Sequence, residues 1–89
     1  MASEAYPEAF IVTVSNESGS FNADLEIPSR LPFAAYKAKL LEILKILGGR
    51  EFQSWRGYSL QFKERLLDAE DTLAHVGAFD GSRLTVRRM

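Results

Sequence analysis

The sequence predicts an α+β domain in which a mixed sheet of four to five strands is crossed by one helix. Three observations carry that expectation. Two strand-like runs surround a dense polar turn near the N-terminus, one long run then switches to helical periodicity, and short strand-like segments follow it.

In chain order, Met1 to Glu8 lacks periodicity and holds Pro7, so residues 1–9 read as a loose tail and 10–89 as one domain. Phe10 to Val14 is rich in β-branched residues and predicts a strand. Ser15 to Ser20 is a run of turn formers. Beyond it Phe21, Ala23, Leu25 and Ile27 alternate with Asn22, Asp24 and Glu26, the two-residue period of a strand with one apolar face. Two strands around a short polar loop make an antiparallel hairpin.

Pro28-Ser29 stops the second strand, and from Pro32 to Leu47 the spacing becomes helical. Phe33, Tyr36, Leu40, Ile43, Leu44 and Leu47 fall on one stripe, with Lys39, Glu42 and Lys45 mostly opposite. Pro32 suits a first helical turn, where a missing N–H costs nothing. Gly48-Gly49 is a glycine stop. Arg50 to Ser54 reads as a loop. Trp55 to Phe62 contains a third strand with Tyr58, Leu60 and Phe62 on one face, and Leu66-Leu67 is a short edge strand. Asp71 is placed to cap a turn through Thr72 to His75. Asp80-Gly81 is a turn, and Arg83 to Arg88 forms the last strand with Leu84 and Val86 inward. Leu25, Ile27, Leu40, Leu44, Leu60, Leu67 and Leu73 complete the expected core. A hairpin, a crossing helix and a last strand returning parallel to the first make a β-grasp.

Composition narrows the function classes. Eleven Lys and Arg against twelve Asp and Glu leave no basic excess for a phosphate backbone, so no nucleic-acid partner is expected. The basic cluster Arg83, Arg87 and Arg88 reads as a solvated edge or as the complement of an acidic surface. With no cysteine there is no disulfide, thiol nucleophile or cysteine-held metal. His75 is the sole histidine, no serine sits in a nucleophile turn, and no glycine-rich phosphate loop occurs. Neither catalysis nor a cofactor nor a small-molecule substrate is expected. The longest apolar-rich stretch, Leu31 to Leu47, carries Lys37, Lys39, Glu42 and Lys45, so membrane insertion is not expected, and the cysteine-free composition is compatible with a reducing cytosol.

Pro28-Ser29 followed by Lys37-Ala38-Lys39-Leu40 resembles the entry of ubiquitin into its helix. Leu60-Gln61-Phe62, Leu67, Thr72-Leu73, Gly77, Asp80-Gly81 and Leu84 also fall at ubiquitin-like intervals. With Asp24-Leu25-Glu26-Ile27-Pro28, the pattern over about Phe10 to Arg87 is most similar to the YukD/EsaB family of bacterial ubiquitin-like proteins. That resemblance implies a cytosolic protein-binding accessory of a type VII (WXG-type) secretion system. A second expectation is a ubiquitin-like docking domain of a larger protein, such as a membrane component of the same apparatus. Ubiquitin ends in a Gly-Gly tail, whereas this chain closes on Arg87-Arg88-Met89, so conjugation through the C-terminus is not expected. Where ubiquitin carries an aliphatic recognition patch, the matching outward positions here are Gln61 and Arg87.

The expected partner surface is Trp55, Tyr58 and Phe79 with Arg56 and Arg87 around them, because aromatic anchors with arginine neighbours dominate interface energy. Trp55 and Tyr58 also suit the core of a small domain. Phe79 sits on a loop tip with little core to reach. Leu41 and Ile46 fall off the helical stripe and are expected to be covered by the loops around Arg50 and Asp71.

Overall fold

The computed structural model describes residues 8–89. The expected tail lies almost wholly outside them, and Ala9 already belongs to the first strand. The elements are β1 (Ala9–Asn16), β2 (Asn22–Pro28), α1 (Phe33–Gly48), a helical turn α2 (Arg50–Gln53), β3 (Tyr58–Phe62), β4 (Arg65–Leu66), a second turn α3 (Leu73–Val76) and β5 (Arg83–Arg88). The strands form one five-stranded sheet in the order β2-β1-β5-β3-β4. β1 pairs antiparallel with β2 and parallel with β5, and β3 pairs antiparallel with β5 and β4. This is the expected β-grasp.

Period-two alternation places Phe10, Val12 and Val14 of β1, Tyr58, Leu60 and Phe62 of β3, and Leu84 and Val86 of β5 in the core. Phe33, Tyr36, Leu40 and Leu44 of α1 are buried with them. Leu44 is fully enclosed. Leu25 and Leu47 depart from the expected pattern. Leu25 is only half-buried, because β2 is an edge strand with a neighbour on one side. Leu47, in the last turn of α1, is exposed.

Other departures have local reasons. β1 runs on through Ser15 and Asn16, two residues beyond the sequence boundary, because β5 pairs with both of them. Their polarity is satisfied there: the Asn16 amide donates to Ser20 and Glu51, and its oxygen accepts the Phe21 N–H. The stretch after Gly49 is a helical turn rather than a loop. It drives Phe52 into the core against Phe21 and Trp55, with ring centroids 5.0 and 4.8 Å apart. The edge strand is Arg65–Leu66, so Leu67 turns inward, its N–H bonded to the Leu60 carbonyl.

Thr72, not Asp71, caps the turn α3: its hydroxyl accepts the His75 N–H at 3.0 Å. Asp71 instead braces the preceding loop. Its carboxylate accepts the Asp68 N–H at 2.8 Å and two bonds from the Arg65 guanidinium at 2.9 Å. That loop supplies what α1 lacks. The helix starts behind Pro32 with no side-chain cap, and the carbonyls of Asp71 and Ala69 accept the N–H groups of Phe33 and Ala34.

Candidate protein-interaction surface

The structure divides the five expected surface residues. Trp55 is 7% exposed and Tyr58 1%, so both are core residues and neither is an exposed anchor. Trp55 stacks edge-on against Phe52, and Tyr58 meets Phe33 edge-on at 5.6 Å. The Tyr58 hydroxyl escapes the usual burial cost by donating to the Lys37 carbonyl at 2.8 Å. Desolvation, with Tyr36 nearby, holds its phenol well above the usual range. Arg56, Phe79 and Arg87 are exposed, Phe79 to 60%.

Nor do the three exposed residues share a surface. β3 pairs Tyr58 with Arg88 and Phe62 with Leu84, which puts Arg56 near the C-terminal end of β5. Phe79 precedes Asp80-Gly81 at the opposite end. Arg87 points to the outer sheet face, since it pairs with Ser59, whose side chain alternates away from the buried Tyr58.

That outer face is largely occupied by contacts among its own side chains. Arg87 donates to Gln61 at 3.0 Å and pairs with Glu17 of the hairpin loop at 3.2 Å. Arg83 donates to Asn22 at 3.1 Å, and Thr13 to Asp24 at 2.7 Å. The apolar exceptions are Ile11 and Leu66, each half exposed. A partner seeking an aliphatic patch here would meet polar groups already satisfied by one another.

A second surface, not expected from the sequence, is a groove of about 370 Å³ between α1 and the start of β3. Ala34, Ala38 and Leu41 line its helical side, Tyr58 and Arg56 its strand side, and Lys37, Glu42 and Lys45 complete it. Ala34, Ala38, Leu41 and Lys45 follow a spacing of four, three and four, one face of a helix. That spacing was legible, but it is weaker than the core stripe beside it. Leu41 is half-buried against the core and lines this groove rather than lying under the loops around Arg50 and Asp71, whereas Ile46 is 80% exposed.

No helix among the described residues is long and apolar enough to cross a membrane. No family model matches the chain, and no curated protein matches it in sequence. Solved structures do match. The ubiquitin-like domain of EccD1, a type VII secretion system protein of Mycobacterium tuberculosis, aligns over 89% of this chain and 97% of its own, with TM-score 0.69 and 24% identity. The chain has the ubiquitin-like fold. Another ubiquitin-like domain, that of EccD5 from Mycobacterium xenopi, covers 93% of this chain and 97% of its own at TM-score 0.75 and 19% identity. The ubiquitin-like domain also matches a chain of an ESX-5 inner membrane complex at TM-score 0.72 and 23% identity, spanning 21% of that longer chain. The ubiquitin of Caldiarchaeum subterraneum aligns at TM-score 0.68 and 18% identity.

Proposed function

We propose that this ubiquitin-like domain is a non-catalytic docking module of a bacterial type VII secretion system, acting on the cytoplasmic side by binding another protein of the apparatus. The supporting observation is the fit of nearly the whole chain to the ubiquitin-like domains of EccD1 and EccD5. Secretion-system domains and ubiquitin share this fold, so the likeness is joined to a second observation. The outer sheet face carries Gln61 and Arg87, engaged with each other, where ubiquitin's patch is aliphatic. A module built this way is suited to partners other than ubiquitin receptors.

Two forms of this reading differ in architecture: a free-standing accessory similar to YukD and EsaB, and a docking domain of a membrane component. The match to about one fifth of a longer chain in an inner membrane complex favours the second. The test is deletion of residues 8–89 in the source cell. Export of WXG-type substrates should fall while the membrane complex still accumulates, and the tagged domain should co-purify with a component of that complex. Unchanged export together with no co-purification overturns the reading.

A further inference from the structure

We propose that the groove between α1 and β3 is the docking site, and that it takes an acidic peptide segment carrying an aliphatic anchor. This rests on the docking reading and names the surface and the chemistry of its partner.

Charge sets the argument. The whole chain has a formal net charge of -1, yet the groove gathers Lys37, Lys45 and Arg56 around one carboxylate, Glu42. None of the three cations makes an ion pair among the described residues, whereas Arg65 and Arg87 each do. On the outer sheet face Arg83 and Arg87 are engaged by neighbouring side chains; the three cations around this groove have no carboxylate partner among the described residues. Local excess charge of one sign around an apolar floor raises the encounter rate of an opposite charge and orients it.

The floor is small and apolar. Ala34 and Ala38 leave room above the half-buried Leu41, space enough for an aliphatic side chain. From Ala34 to Lys45 the helix runs about 16 Å at 1.5 Å per residue, the reach of a short peptide segment.

The groove is also held in shape before anything binds. The Tyr58 hydroxyl ties the strand wall to the helix wall at the Lys37 carbonyl. The Lys37 ammonium lies 5.4 Å from the Phe33 ring centroid and 6.0 Å from that of Tyr58, both within cation–π range. Fixed walls reduce the ordering cost of association.

The test is an amide chemical-shift titration of the 89-residue chain with a synthetic peptide of repeated Asp-Glu-Leu, beside a control with Asn and Gln for Asp and Glu. The acidic peptide should move the amides of Ala34, Ala38, Leu41, Lys45 and Arg56, more weakly as salt rises. The double reversal Lys45→Glu, Arg56→Glu should weaken binding roughly tenfold or more, and an unchanged melting temperature shows that the fold survives it. The proposal is overturned by shifts centred on Gln61, Thr85 and Arg87, by equal binding of the neutral peptide, by no saturable binding, or by a reversal that changes nothing. Equal shifts from a single-stranded oligonucleotide or inorganic phosphate also overturn it, since they assign the groove to phosphate. Co-purification of the unaltered domain with the secretion complex tests the docking reading separately, so the groove can fail while that reading stands.

Discussion

The Tyr58 phenol donates a 2.8 Å hydrogen bond to the main-chain carbonyl of Lys37, 21 positions earlier on a different element. It joins sheet to helix at the rim of the groove, and it makes a buried tyrosine affordable. Tyr58→Phe removes the bond and keeps the packing, so it should cost about 0.5–1.5 kcal/mol. Tyr58→Ala also empties the site and should cost about 3–5 kcal/mol. Thermal unfolding of both variants checks the order; a neutral Tyr58→Phe would mean that the bond contributes nothing.

Tyr36 is the contrasting case. Its hydroxyl is buried and finds no hydrogen-bond partner among the described residues, and burial pushes its pKa up to about 12 from 10.0. Tyr36→Phe should therefore leave stability at neutral pH unchanged or raise it. The alkaline side adds a sign. A folded pKa above the unfolded one means stability complete below pH 10.0 and lost as pH climbs toward about 12. The variant should lose less across that window, as read from melting temperature against pH.

Asp71 titrates the other way. The Asp68 N–H and then the Arg65 guanidinium hold its carboxyl below the ordinary 3.8. Stability from a depressed carboxyl is present above the unfolded pKa and disappears as pH falls through the folded one. Asp71→Asn should melt lower than the wild type at neutral pH, and the gap should close in acid below pH 3.8. A gap independent of pH would assign the effect to loop packing instead. Because this loop caps α1, the Phe33 and Ala34 amides should also exchange faster in the variant.

At Gly48 a methyl group would collide with the Phe52 ring, and Phe52 is fully enclosed. The ring cannot swing clear without disturbing Phe21 and Trp55. Gly48→Ala should then cost about 1–3 kcal/mol as overpacking, despite alanine's better helix propensity. A stabilised variant would show that α2 can move as a unit.

Trp55→Ala and Phe79→Ala separate core from surface among the residues first singled out. Trp55 is buried against Phe52, so its truncation should cost about 3–5 kcal/mol. Phe79 is exposed, and its truncation should change stability by less than about 0.5 kcal/mol. Comparable losses in the two would place Phe79 in the core as well.

Elements with a strong period were legible from residues alone. The alternation along β2, the α1 stripe through Phe33, Tyr36, Leu40 and Leu44, and the glycine stop after it each follow from local geometry, which the chain carries wherever it folds. The order of those elements was enough for the β-grasp. Short pieces are legible only in part: the residues place the edge strand β4 one position late, at Leu66-Leu67, and give α2 as a loop, because neither is long enough for a period to show and Phe52 and Leu67 have core to reach. The start of α1 also belongs to the tertiary structure, since its cap comes from the carbonyls of Asp71 and Ala69, far along the chain. So does the division of Trp55 and Tyr58 from Arg56 and Phe79, because aromatic side chains suit a core and an interface equally. Only the ring of Phe52, the Lys37 carbonyl and the bare loop at Asp80 decide which aromatic is enclosed. Free charge is of the same kind: sequence counts cations, but three-dimensional proximity alone pairs Arg65 and Arg87 with carboxylates and leaves Lys37, Lys45 and Arg56 around an open groove.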